Sequence, residues 1–265
     1  MAKSEHRIAD GEKRERSGYT IQILMSCYFW SSMFLISGLL FPVSLLLWLT
    51  TVLFDRRRYI LHQWTCRWSD IVLGMNPYWK VRVEGREKID PSKVYVMVSN
   101  HQSGLDILVL FKLHCHFKWV AKNGLFRIPF IGWNMGLNGY IPIERSRGRS
   151  KLQMMDKAAD SIRAGNSVIL FPEGTRSRDG GLQTYKTGAF RLALETRSEI
   201  LPIVIIDTHS AIKKGGLMIH KNDHIKLVVI DPVPYESFQH LDSKELAHLV
   251  HRKTFEELKR NKKIN

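Results

Sequence analysis

The sequence predicts an α/β protein: a mostly parallel sheet flanked by helices, preceded by an N-terminal apolar helical segment that anchors it to a membrane. Three observations carry that expectation. From residue 76 onward, short β-branched and aromatic runs alternate with segments of helical period, the pattern of a parallel sheet covered on both faces. Residues 21–54 hold no charged side chain, a stretch of 34 that belongs in or on a bilayer. The 265 residues are 44% hydrophobic and 25% charged, which excludes intrinsic disorder and suits one or two folded domains.

In order along the chain, residues 1–20 read as a basic polar tail, 21–75 as the membrane anchor and 76–265 as the α/β domain. A straight helix over the whole apolar run would extend about 51 Å, against roughly 30 Å of hydrocarbon core. Pro42, one turn after Gly38, offers a kink or a reversal. Lys3, Arg7, Lys13, Arg14 and Arg16 precede the run, and Arg56, Arg57 and Arg58 follow it. Keeping both basic flanks on the cytoplasmic side requires a hairpin rather than one crossing. In residues 59–74, Ile60, Trp64, Trp68, Ile71 and Val72 recur at helical steps. They describe either an amphipathic helix lying in the interface or one packed on the domain.

Forty Lys plus Arg against 25 Asp plus Glu leave a net charge of +15, so the protein should meet polyanions. Nucleic acid and an anionic membrane both qualify, and the apolar run selects the membrane. Cys27, Cys66 and Cys115 show no paired spacing, which excludes a disulfide framework or a four-ligand zinc site and fits a reducing compartment. Cys115 lies between His114 and His116, but adjacent side chains point apart and make a poor metal site, so no metal is expected.

Within the α/β domain the strand candidates are residues 94–98, 117–121, 140–143, 168–171, 200–206 and 225–230. The helix candidates are 103–114, 150–164 ending at Gly165, 188–196, and 242–259, the last opened by an Asp242/Glu245 capping pair. Open α/β sheets gather their chemistry at the carboxyl ends of strands, and two polar clusters fall there. Asn100-His101-Gln102-Ser103-Gly104-Leu105-Asp106 follows one strand. One reading makes Ser103 the helix N-cap with Asp106 answering the helix dipole. The other lets Asp106 hydrogen-bond a ring nitrogen of His101, making His101 a general base. No Gly-x-Ser-x-Gly elbow exists to supply a serine nucleophile, so such a base would act directly on an acceptor hydroxyl attacking an activated electrophile such as a thioester.

The second cluster, Phe171-Pro172-Glu173-Gly174-Thr175-Arg176-Ser177-Arg178, follows the strand at 168–171. Arg176 offers a planar fork for phosphate. Gly139 to Arg145 ends another strand, bringing Arg145 towards Arg176, and Lys122 after Val120-Ala121 is a third cation. Three cations from three strand ends suggest a phosphate pocket, although each alone is an ordinary surface charge.

Together these segments resemble the glycerolipid acyltransferase family typified by 1-acylglycerol-3-phosphate acyltransferase. Residues 100–106 look like its NHx4D motif, 139–145 its second, Phe171 to Arg176 its FPEGTR motif and Leu201-Pro202-Ile203-Val204 its fourth. The resemblance spans roughly residues 80–210 and makes residues 76–265 the catalytic domain. It implies that His101, oriented by Asp106, deprotonates the sn-2 hydroxyl of 1-acylglycerol-3-phosphate, which then attacks the thioester of acyl-CoA or an acyl carrier protein to give phosphatidic acid. It further implies that Arg145, Glu173, Gly174, Thr175 and Arg176 bind the glycerol-phosphate end, with Lys122 assisting. No metal or redox cofactor is implied. The implied partners are the lysophospholipid, the acyl thioester, the bilayer and acyl carrier protein, with the catalytic domain facing the cytoplasm and no nucleic acid bound. The family often carries a second proline where this sequence has Ile205, which leaves the acyl-chain lining open. Alternative acceptors are lysophosphatidylglycerol or a lyso-ornithine lipid, and a transacylase or hydrolase would use the same base. The alternative of another class is a non-catalytic membrane protein that binds anionic lipid.

Overall fold

The structure is a computed structural model that describes residues 2–144 and 148–262, with side chains at 18–144 and 152–261. Two long helices lead: α1, Ala2–Thr51, and α2, Tyr59–Gly74. The α/β part then runs β1 (Trp79–Glu84), β2 (Tyr95–Ser99), α3 (Asp106–Phe111), β3 (Phe117–Lys122), α4 (Ile131–Leu137) and β4 (Ile141–Ile143). It continues with α5 (Gly148–Arg163), β5 (Ser167–Leu170), α6 (Gly188–Thr196), β6 (Glu199–Ile206), α7 (Thr208–Ala211), β7 (Asn222–Val229) and α8 (Ser243–Lys262). The strands form one seven-stranded sheet in the order β1-β7-β6-β2-β5-β3-β4. Every neighbouring pair is parallel except β6 with β7, in agreement with the expected mostly parallel sheet.

Why the central strands read as unbroken apolar runs is visible in β2. Tyr95 and Met97 join the core beneath α1, α2 and α3, whereas Val96 and Val98 join the core beneath α5, α6 and α8. Successive side chains of a strand point to opposite faces, so covering both faces demands apolar residues at every position. The edge strand β1 escaped the sequence reading because Lys80, Arg82 and Glu84 interrupt its pattern on the less covered side. The Asp242/Glu245 pair is reciprocal as expected: Glu245 N donates to Asp242 Oδ1 (2.8 Å) and Asp242 N to Glu245 Oε2 (2.9 Å). Gly165 closes α5 with φ +84°, a conformation that only glycine adopts without strain.

For residues 21–75 the expectation is a hairpin or a kinked helix followed by an amphipathic one, and the apolar run itself does not reverse at Pro42. Helix α1 runs unbroken through Pro42, and the chain reverses at residues 52–58 instead, so the hairpin is made by α1 and α2 together. Asp55 sets that turn by accepting from Tyr59 N (2.9 Å) and Ile60 N (2.8 Å), two of the orphan donors that open α2. The indoles of α2 do not form an interfacial stripe. Trp64 Nε1 donates to Ser44 Oγ (3.0 Å) and Trp68 Nε1 to Ser37 Oγ (3.1 Å), locking α2 to α1. Helix α2 also buries Leu61, Cys66, Val72 and Leu73 and lies on α3, so α2 packs on the domain while Ile60 and Ile71 stay exposed. Residues 18–51 of α1 are long and apolar enough to cross a membrane.

Candidate active site

The first residue of the NHx4D segment is a splice. Asn100 Nδ2 donates to Ile205 O and Asn100 Oδ1 accepts from Ile205 N, both at 2.8 Å. The side chain thereby continues the β2–β6 pairing past the end of β2 and delivers His101 at the strand's carboxyl end. Helix α3 begins at Asp106 rather than Ser103, because the carboxylate turns back to gather the preceding segment. Asp106 Oδ2 accepts from His101 Nδ1 (2.7 Å), Gln102 N (2.7 Å) and Ser103 N (3.0 Å), and Oδ1 accepts from Thr208 Oγ1. An ionised carboxylate only accepts, so the proton on His101 is held at Nδ1 and Nε2 is left as the acceptor. The hydrogen bond of the dyad reading is present, whereas Ser103 is not the N-cap: Leu105 stands there, with no side-chain cap hydrogen bond.

Phe171 lies flat on the imidazole of His101, with ring centroids 3.9 Å apart and planes inclined by 10°. The main chain of His101 is clamped as well. Its N–H donates to Glu173 Oε1 (3.0 Å), and its carbonyl accepts from Ser177 N (2.8 Å). The other Glu173 oxygen accepts from Gln183 Nε2 (2.7 Å). Burial pushes the Glu173 carboxyl up to about 7, against the His101 and Gln183 donors that pull it down.

His101 opens onto a cavity of about 470 Å³, within the size range of small-molecule sites. The polar part of its wall holds Lys122, Thr175, Arg176 and Lys214. Behind them the wall is apolar, with Leu105, Trp119 and Met135 from the domain and Phe29, Met33 and Leu40 from α1. Helix α1 is therefore the roof of the cavity. Phe130, held at φ +60°, seats its ring against Gly38 of α1, where a Cβ would stand 3.3 Å from the ring.

Of the residues singled out in the sequence, the fold brings together His101, Asp106, Lys122, Thr175 and Arg176. It places Glu173 and Gly174 off the cavity wall: Glu173 sits behind His101, only 3% exposed, and Gly174 serves the turn at φ +73°. Arg145 lies outside the described residues. Lys214 and Thr208 were missed, since each arrives more than 100 residues after His101 and only β6 and the chain beyond it bring them back. Among the described residues, no group of three His, Cys, Asp or Glu side chains is placed to hold a metal ion. His116 Nε2 pairs with Asn166 Oδ1 (2.9 Å) and His114 Nε2 with Asp70 Oδ2 (3.1 Å), so the two histidines beside Cys115 serve separate partners.

Residues 80–206, which contain this constellation, match the acyltransferase protein-family profile. An acyltransferase-family region thus spans these residues. The chain is 36% identical over 184 residues to the chloroplastic 1-acyl-sn-glycerol-3-phosphate acyltransferase LPAT1 of Arabidopsis thaliana, covering 69% of this chain and 51% of that one. It is 32% identical over 163 residues to the 1-acyl-sn-glycerol-3-phosphate acyltransferase of Borreliella burgdorferi, covering 59% and 65%. The matches span from about half to two thirds of the length of these curated relatives. Its fold is similar to the crystal structure of the 1-acyl-sn-glycerophosphate acyltransferase PlsC of Thermotoga maritima, with TM-score 0.72 and 22% identity over 91% of this chain and 97% of that one.

Proposed function

We propose that this acyltransferase moves a fatty acyl group from an acyl thioester to the sn-2 hydroxyl of 1-acylglycerol-3-phosphate, giving phosphatidic acid. The observation that carries the reading is the 2.7 Å His101–Asp106 hydrogen bond opening onto one cavity with cations on part of its wall and hydrocarbon behind them. His101 Nε2 takes the hydroxyl proton as the oxygen attacks the thioester carbonyl, and Asp106 steadies the imidazolium. The tetrahedral intermediate collapses with loss of the C–S bond, and the thiolate leaves with the proton returned by His101. Arg176, Lys122 and Lys214 hold the phosphate, Arg176 through its planar fork. The apolar depth takes the acyl chain. Acyl-CoA or an acyl carrier protein supplies the thioester, and no metal or redox cofactor takes part.

The outward apolar side of α1, where Leu35, Leu39 and Leu46 are exposed, rests in the bilayer, with the catalytic domain on the cytoplasmic side. The names of the curated relatives support the choice of acceptor. The decisive assay supplies the purified protein with lysophosphatidate in vesicles and a radiolabelled acyl thioester. Labelled phosphatidate from the native protein, lost in His101→Ala while vesicle binding persists, is the expected result. Lipid binding without any product from the native protein would leave only a lipid-binding role.

A further inference from the structure

The carboxylate of Asp106 is wholly buried, and its four donors are unequally shared. Oδ2 takes His101 Nδ1 and two backbone N–H groups, and Oδ1 takes the hydroxyl of Thr208. Three of the four are local, contributed by residues 101–103. The fourth is brought by β6 from the other side of the sheet's centre. We propose that Thr208 is a positioning residue of the catalytic dyad: by anchoring Oδ1 it fixes the rotation of the carboxylate and so keeps Oδ2 aimed at His101 Nδ1.

The surroundings of Thr208 are built to hold that hydroxyl still. Thr208 is itself completely buried and opens α7. The preceding Asp207 adopts φ +63°, a left-handed conformation that Asp tolerates better than most residues, and this turn directs Thr208 back towards α3. Asn222 Nδ2 donates to Asp207 O and to Ser210 Oγ, both at 2.6 Å, and Ser210 Oγ donates to Asp207 O (2.7 Å). The end of α7 is tied to the same loop, since Ser103 Oγ donates to Ile212 O (2.7 Å). The 3.3 Å approach of Thr208 Oγ1 to Gln102 Oε1 is the weaker contact, because a hydroxyl has one proton and the carboxylate is the stronger acceptor. A carboxylate held at one oxygen only can pivot about its Cβ–Cγ bond. Held at both, it presents a fixed acceptor, and a fixed acceptor dictates which imidazole nitrogen carries the proton.

The chemistry of the effect rests on the acyltransferase reading, but its most direct test does not. Ring 15N NMR of selectively labelled histidine, with the His101 signals assigned by their loss in His101→Ala, reports the tautomer whether or not product forms. The native protein should show a single Nδ1–H tautomer once the ring is neutral. Thr208→Val, which keeps the shape and removes the donor, should show a mixture, and Thr208→Ser should restore the native pattern. In the vesicle assay Thr208→Val should lower kcat by ~10-fold, the size typical of a lost orienting partner, with KM for the acceptor unchanged. The acid limb of its rate profile should move to higher pH, as the carboxylate loses a neutral donor and concentrates its charge towards the imidazolium. The other ionisable groups facing the dyad are Glu173, Lys122, Arg176 and Lys214, with Asp207 and His209 flanking Thr208, and none is altered in the comparison. Should Thr208→Val not fold, Thr208→Ala serves the same measurements. A single Nδ1–H tautomer in the Val or Ala variant overturns the proposal, as does a profile that keeps its acid limb while all rates fall together. If the native protein makes no phosphatidate yet the tautomer mixes in Thr208→Val, the positioning role stands and the acceptor assignment falls.

Discussion

Removing the Glu173 side chain should slow turnover while leaving affinity for the acceptor almost intact, because that carboxylate holds the backbone of His101, the proposed base, and stands off the cavity wall. In Glu173→Ala the His101 N–H and Gln183 Nε2 lose an acceptor at 3.0 and 2.7 Å. A buried donor left unpaired costs about 1–3 kcal/mol, and the loop recovers part of that by shifting His101. Each 1.4 kcal/mol of misplacement at the reacting geometry is about tenfold in rate, which predicts a kcat lower by roughly 10- to 100-fold. The acceptor KM should stay within about a factor of two, since no Glu173 atom forms part of the cavity wall. Initial rates on vesicles of graded lysophosphatidate content separate the two constants. A raised KM with kcat preserved would mean that Glu173 meets the glycerol-phosphate group directly, and would refute this account. Glu173→Gln supplies a second check. Burial raises the carboxyl from 4.5 to about 7, so the native state holds a proton that the unfolded chain has released between those values. Stability from this group is full below about pH 4.5 and is lost as pH rises through about 7. The glutamine variant should lack that slope.

Arg176→Ala should show the opposite kinetic signature, a rise in acceptor KM of about tenfold with kcat near native, and Lys214→Ala should show a smaller rise because an ammonium makes no bidentate contact. Direct titration of binding to a soluble short-chain lysophosphatidate checks both, and unchanged affinity in Arg176→Ala would remove the phosphate role. Lys118 gives a prediction about stability. Its buried Nζ donates to Arg57 O (2.7 Å) and Asn138 O (2.6 Å), tying the α1–α2 turn to the start of β3, and burial lowers its pKa from 10.5 to about 7. Between those values the unfolded chain carries a proton that the native state lacks, so stability from this site rises with pH by up to about 1.4 kcal/mol per unit. Lys118→Met should flatten denaturation midpoints measured from pH 7 to 10. Parallel slopes in the two proteins would show that Lys118 stays charged throughout.

The parts of the site that lie close together in the chain were legible from residue order alone. His101 and Asp106 are separated by five positions, and a strand end followed by a helix start confines them to one corner, so spacing alone suggested their contact. The same locality misled where a residue type had two uses. Glu173 stands among groups suited to phosphate, and nothing in the motif shows that its carboxylate turns inward to the His101 backbone. Thr208 and Lys214 were invisible for a different reason. Their proximity to His101 depends on β6 pairing with β2, and no periodicity reports which strands become neighbours. Of the two readings of residues 59–74, packing within the protein holds, because Ser37 and Ser44 on α1 offer Trp68 and Trp64 hydrogen-bond acceptors that the periodicity of α2 alone does not reveal. Of the kink or reversal offered by Pro42, the reversal is absent, since α1 continues through it. A missing N–H removes one helical bond, and a helix packed along one side tolerates that loss.

The length of the apolar run now has a physical cause that bilayer thickness alone does not provide. Phe29, Met33, Ser37, Leu40 and Ser44 recur at three- and four-residue steps along α1, and all of them line the cavity. The inner stripe of the helix is thus the roof of the cavity, and its outer stripe, with Leu35, Leu39 and Leu46 exposed, is the surface that the proposed function gives to lipid. An upright span would surround its middle turns with hydrocarbon on every side, yet here those turns carry the indole hydrogen bonds of α2 and the ring of Phe130. Under the proposed function, the segment that meets the bilayer and the wall of the acyl site are one helix. An unrelated membrane-spanning segment in place of α1 would still hold the domain at a bilayer, but it would leave the hydrophobic half of the cavity open to water and expose Trp119 and Leu105, and the acyl chain would lose the surface that draws it in.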